Sequence, residues 1–406
     1  MSRSNAAAAL LFRRKGDGST LNLDFTKMSA LDSRFTFSRT EATVKATYIN
    51  SSGYVTQVAT LGDPRFDYDP TTLAAKGLLI EGSATNYLLS STTCSGASWP
   101  TGGAVTITNA YATGPDGVAN SATRFQMNYS GGTGRIYQDS GFTTKPYTNS
   151  VWIKSNTGGN QTLALYNTIG SLIPITVTPS WQRFENVNTT GTSLAGYFYL
   201  ENSSTNPAVV ADVLIYGAQL EAGTAASSYI PTTTAQVTRN PDLALMTSTN
   251  FSSWFTGGTT GTFFVDWHGG VRGITSTVRS VISTDDLSTK HLHLQQVSAA
   301  GALKVADFGA AHSVSTANSI TSGARTKGAF NFVGSTSTVN LCLNGGTVAT
   351  SSAIAFSVAP TWLVLGGTST TGTTLTDLTT VLNGSIRQIK YYPTALTSAQ
   401  LIAMTT

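Results

Sequence analysis

From end to end the chain repeats one kind of unit: a short run rich in Val, Ile, Thr, Tyr and Phe, closed by a cluster of Gly, Asn, Ser or Pro. Examples are TVKATYI (43–49), AVTIT (104–108), SVWIK (150–154), TLALYN (162–167), TFFVDW (262–267), TVNLCL (338–343) and SIRQIKYY (385–392). β-Branched and aromatic side chains fit a pleated surface, and such runs between turn signals read as strands. Ser52-Gly53, Asp116-Gly117, Asn344-Gly345 and Asn383-Gly384 supply the turns. Many short strands closely spaced give sandwiches or jelly rolls, so the sequence predicts an all-β fold. A helix is expected only at the tail, where Thr397 or Ser398 can cap a segment carrying Leu401 and Met404 three apart.

Composition supports this and removes other classes. Charged residues are 11% of the chain, against roughly 25% in ordinary soluble domains. Lys and Glu, which usually cover helix surfaces, are scarce. Disorder is not implied, because 17 Phe, 15 Tyr and 6 Trp are spread throughout. A formal net charge of +4 over 406 residues is mild and does not indicate a nucleic-acid binder. There is no apolar stretch of membrane-spanning length. The start, with Ala6–Phe12 followed by Arg13, Arg14 and Lys15, has the reverse order of a secretory signal. Cys94 and Cys342 lie far apart and are expected in different domains, with no disulfide framework.

Three regions are expected: an N-terminal anchoring region (1–90), a first sandwich (91–236) and a second sandwich (243–406). The Pro- and Thr-rich segment 227–242 reads as a linker. The Arg/Asp set Asp32, Arg34, Arg39, Asp63, Arg65, Asp67 and Asp69 reads as ion pairs within a compact N-terminal unit.

Two stretches resemble bacteriophage virion proteins of the tail-fibre, tail-spike and head-fibre class. One is FTFSRTEATVKATYINSSGYVTQVATLGDPRFDYDP (35–70) with GLLIEGSATNYLLSS (77–91); the other is SWQRF (180–184) with IYGAQLEAGTAASSYIPTTTAQVTR (215–239). The usual Glu-Ala-Arg-Thr-Asn after the Leu-Leu-Ile stretch reads Gly82-Ser83-Ala84-Thr85-Asn86 here. In that class these words bracket a carbohydrate-binding-module-like jelly roll. The closing words LNGSIRQIKYYPTALTSAQL (382–401) are similar to the end of concanavalin-A-like and laminin-G-like sandwiches. The resemblance implies a virion fibre or spike subunit, assembled in the host cytoplasm. It would be a homotrimer docked to other virion proteins (tail, portal or capsid) and would attach to host-surface polysaccharide. The alternative is a capsid or collar decoration without a ligand of its own.

Catalysis finds little support in the residues. A depolymerase needs two carboxylates roughly 5–10 Å apart across a groove, and no strand carries the Glu-x-Asp-x-Glu alternation that such enzymes place on a concanavalin-like fold. Asp285-Asp286 would point to opposite faces of a strand. No cofactor is expected. His291 and His293 would share one strand face, and Asp266, Asp285 and Asp286 could offer oxygen to calcium, but no metal-site spacing supports either. For sugar recognition, Trp99, Trp254 and Trp267 lie at Gly- or Pro-rich strand ends and are the candidate glycan-stacking rings. Trp152, Trp181 and Trp362 read as core. Arg13, Arg14 and Lys15 are the candidate virion-docking residues.

Overall fold

The computed structural model describes residues 17–406, apart from 44, 129–133, 143–145, 169–170, 189–195, 203–209, 270–277, 286–291, 298–300, 308–312, 322, 355–358, 370–373 and 376–379. The described chain is built almost wholly from antiparallel strands in two β-sandwiches. In the first, Gln182–Asn188, Tyr147–Ser155, Ala211–Ala222, Ala122–Asn128 and Ala104–Ala112 form one sheet in that order. Ser171–Val177, Gln161–Thr168, Gly196–Asn202, Gly134–Phe142 and Thr101–Gly102 form the facing one. Alternation fills the space between them: Phe125, Met127, Val151, Ile153, Val213 and Ile215 from one side meet Ile136, Leu163, Leu165, Phe198 and Leu200 from the other.

The second sandwich is not confined to 243–406. Its last strand, Gly384–Tyr392, pairs on one side with Thr260–His268. On the other side it pairs with two N-terminal strands, Leu21–Asp24 and Ala75–Ile80. Thr36–Ser38 adds a strand to the facing sheet beside Leu243–Thr247. Leu21, Leu23, Leu78 and Ile80 are buried in the same core as Phe263, Phe330, Ile386 and Leu363. Strands Leu21–Asp24, Thr36–Ser38, Arg65–Tyr68 and Ala75–Ile80 therefore belong to the second sandwich, while the N-terminal hairpin Thr47–Ile49/Val55–Gln57 packs on the first, which corrects the expected separate N-terminal region. The physical reason lies in the pattern: Leu21 and Leu23 alternate with Asn22 and Asp24, so a single face must be buried, and the C-terminal strand offers the edge.

The first sandwich is thus an insertion. The chain leaves the second sandwich at Ala84–Asn86 and returns at Val237–Arg239, and these two short strands pair with each other. Asn86 is fully buried there, its amide donating to Ala218 O (3.1 Å) and Ile230 O (2.9 Å) and its oxygen accepting from Leu88 N and Leu220 N. The 227–242 segment is no loose linker: Tyr229, Ile230, Arg239 and Asp242 are buried.

A buried ionic cluster sits at this neck. Arg65 donates to Glu81 (2.6 Å) and Asp242 (2.5 Å), Arg39 to Asp242 (2.8 Å), and Arg239 lies 3.4 Å from Glu81. The arginines 39 and 65 do form ion pairs as their clustering suggests. Arg34 pairs with Asp32 (2.9 Å) and Arg39 also reaches Glu41 (3.5 Å) inside the 32–70 segment, while the partners Glu81 and Asp242 come from outside it. The guanidinium groups and Ser228 outweigh burial and pull the Glu81 carboxyl down to about 2. The tail helix Ser398–Thr405 has the expected Thr397 cap, completed by Gln400, and buries Leu401 against Phe264, Ala329 and Cys342. Cys94 and Cys342 are free and buried, one in each sandwich.

Candidate functional site

The three tryptophans expected at the surface are inside. Trp99 is 2% exposed, donates its indole N–H to Leu89 O (2.7 Å) and meets Phe198 edge-on. Trp254 packs among Phe251, Phe255, Phe263 and Tyr391. Trp267 is fully buried on the Thr260–His268 strand, and its far edge lies close over Gly328. None presents a ring face to a sugar. Their Gly-rich neighbours let the backbone turn while the large apolar ring goes inward, which sequence context alone does not distinguish from a loop site. Of the tryptophans read as core, Trp152 and Trp362 are buried and Trp181 is half-buried under the Lys154 ammonium.

Arg13, Arg14 and Lys15 lie outside the described residues, as do Asp286, His291 and the side chain of Asp285. Asp266 is ion-paired to Arg325 at 2.6 Å, and His293 is buried beside Gln295. Among the described residues, no three His, Cys, Asp or Glu side chains group as metal ligands.

The aromatic surface lies elsewhere, on the outer face of the inserted sandwich. Along Gly196–Asn202, Gly196, Phe198, Leu200 and Asn202 turn inward, so Tyr197, Tyr199 and Glu201 turn outward. In the neighbouring strands Ile136 and Gln138 are buried, leaving Arg135, Tyr137 and Asp139 on that outer face, while Leu163 and Leu165 leave Tyr166 there. The register then aligns them. Tyr199 is the direct partner of both Tyr137 and Tyr166, so three tyrosines from adjacent strands form one row. Tyr137 and Tyr199 stack with centroids 4.9 Å apart and planes 8° from parallel, and Tyr166 and Tyr197 meet Tyr199 edge-on at 6.3 and 5.5 Å.

Polar groups border the row. Arg135 is opposite Glu201, and its guanidinium carbon lies 5.5 Å from the Tyr137 ring and 5.6 Å from the Tyr199 ring. The edge strand makes room for it: a Cβ on Gly102 would stand 2.6 Å from Arg135 Nε. Tyr166 donates its hydroxyl proton to Glu201 (2.7 Å). Burial, then that carboxylate, raise the Tyr166 phenol above its usual range, so it remains a donor at neutral pH. Asp139, opposite Tyr197, is exposed. The other sheet's outer face is occupied, because Trp152 and Tyr216 pack with Val55 and Tyr229. The row was present in the sequence as the alternation in GYFYLEN, but linking it to Tyr137 and Tyr166 requires the register.

No protein-family model and no curated protein matches the chain. Solved structures do resemble it. One is the CBM40 of the Ruminococcus gnavus IT-sialidase bound to α2,3-sialyllactose, at 20% identity, covering 36% of this chain and 83% of that one, with a TM-score of 0.31. Another is domain 4 of AbnA, a GH43 arabinanase of Geobacillus stearothermophilus, in complex with arabinotriose: 12% identity, 46% and 84% covered, TM-score 0.31. A third is the heptameric SAP-like pentraxin of Limulus polyphemus, at 13% identity, covering 37% and 70%, with a TM-score of 0.31.

Proposed function

We propose that the protein is a non-enzymatic, glycan-binding subunit of a bacteriophage fibre or spike, and that the tyrosine face of the inserted sandwich receives the sugar. The observation that carries the reading is the Tyr137–Tyr199–Tyr166 row with Arg135 and Glu201 at its border. Pyranose rings offer C–H faces to aromatic planes, and their hydroxyls both donate and accept. The row, in which Tyr137 and Tyr199 stack on each other and Tyr166 and Tyr197 meet Tyr199 edge-on, offers aromatic edges and phenol hydroxyls beside a guanidinium and a carboxylate, partners for a sugar's C–H groups and hydroxyls. The virion setting rests on the resemblance of residues 35–91 and 180–239 to that class of proteins, and a homotrimer is expected from the same source. A low-charge surface supports such assembly, since little charge is desolvated on contact.

Glycan-array binding with the parent and with Tyr199→Ala tests the site. Loss of the central ring of the row is expected to weaken binding about 30-fold, the equivalent of about 2 kcal/mol for an interface anchor. Melting should stay within a few degrees. Silence of the parent on a broad array, with Tyr199→Ala changing only the oligomeric state by light scattering, refutes the glycan reading and leaves a structural decoration. Mass spectrometry of purified particles tests the virion assignment.

A further inference from the structure

A second recess lies at the neck, away from the tyrosine row. It is a cleft of about 360 Å³ walled by the N-terminal hairpin, the inserted sandwich and the second sandwich together, within the size range of ligand pockets, which favour such junctions. Tyr48 and Trp152 are among its aromatic lining residues, and four charged side chains line it, Asp67, Lys76, Arg183 and Glu185, together with His268, which burial keeps toward its neutral form. The Asp67 carboxylate is tied by the Ile49 N–H at 2.9 Å through one oxygen. Arg183 gives one Nη to Ser150 Oγ (2.8 Å), while its Nε is buried without a partner. Lys76 reaches Asp69 only at 3.9 Å. The fifth charge nearby, Glu81, is already matched by Arg65 and Arg239.

Two cations and two carboxylates leave these walls without a dominant sign. An anion would meet Asp67 and Glu185, and a cation would meet Lys76 and Arg183. A ligand whose groups each donate and accept suits Asp67, Lys76 and Arg183 together, and vicinal hydroxyls on a ring do so while the ring's C–H face rests on the Tyr48 phenol. We propose that this cleft is a second binding site, taking one neutral hexose unit, and that the ligand ties the inserted sandwich to its host because its walls come from both. The proposal stands independently of the tyrosine face.

The test uses the full chain carrying Tyr199→Ala, which removes the row's central ring. Calorimetry with glucose, galactose, mannose and N-acetylglucosamine is run beside glucuronate and glucosamine as charged comparators. The expected result is binding of at least one neutral sugar at one per chain, with a rise in melting temperature. Asp67→Asn and Arg183→Gln should each weaken it at least tenfold. Lys76→Gln, at a partly exposed position, serves if either of those variants fails to fold. No heat with any neutral sugar, tighter binding of a charged comparator, or affinity unchanged in the folded variants overturns the proposal. Because the array result depends on Tyr199 and this one does not, the two readings fail separately.

Discussion

Glu221 makes stability depend on pH in a direction opposite to most carboxylates. Its carboxyl is buried at the end of the Ala211–Ala222 strand, where it accepts from Ser227 N (2.9 Å), Ser227 Oγ (3.0 Å) and the Gln219 amide. Burial outweighs these donors and the nearby Arg183, and pushes the group from 4.5 up to about 7. A carboxyl raised in the folded state contributes stability that is fully present below about pH 4.5 and is lost as pH climbs through about 7. At 1.36 kcal/mol per pH unit, the gap amounts to about 3 kcal/mol. Other groups titrate over the same range, so the useful quantity is a difference. Urea unfolding of the parent and of Glu221→Gln, followed by far-UV circular dichroism from about pH 4 to about pH 8, isolates it. The variant carries a fixed offset from altered hydrogen bonds, but its stability relative to the parent should rise by about 3 kcal/mol across the range. A difference that stays flat refutes the assignment of the titration to Glu221.

Glu81 acts in a separate window: its depressed carboxyl stabilises the fold above about pH 4.5, and that contribution is lost as pH falls through about 2. The penalty of Glu81→Gln, measured by the same unfolding assay, should therefore shrink on acidification. Asp242→Ala leaves Arg39 and Arg65 buried without their shared carboxylate and should cost about 3–5 kcal/mol, read as a fall in melting temperature. Trp254→Ala should cost about 3–5 kcal/mol through the cavity it leaves, with glycan binding per folded molecule unchanged.

The strand content and the tail helix were legible because they depend on local pattern: Thr397 caps Gln400 within one turn, and SVWIK and SIRQIKYY carry their own β-branched and aromatic residues. What depends on pairing was not. LNLD is four residues long, and its partner Tyr391 lies at the other end of the chain; nothing local names that edge. The same gap hid the site. Tyr137, Tyr166 and Tyr199 stand in three separate strands and become neighbours only through register. The tryptophans misled for a related reason. A Trp beside Gly suits an exposed loop, but here the core needed volume at the strand ends and took Trp99 and Trp254.

The insertion carries a consequence for folding. Every strand of the inserted sandwich comes from between Asn86 and Val237, and its core draws on residues 88–220 alone. A fragment of residues 84–239 keeps the paired neck strands and the buried Asn86, so it should fold by itself into a β-protein with a cooperative melt. It would expose the face now covered at Trp152 and Tyr216, which lowers its solubility rather than its core stability. Residues 237–406 alone are in the opposite position. Without Leu21, Leu23, Phe25, Leu78 and Ile80 the remaining core loses one wall, and the Gly384–Tyr392 strand becomes an unpaired edge along its length. That fragment should aggregate or melt without cooperativity, and adding a polypeptide of residues 17–86 should not be matched by adding the inserted sandwich. A sharp melt of 237–406 at the temperature of the full chain would show that the N-terminal strands are attachments to a finished sandwich instead of part of it.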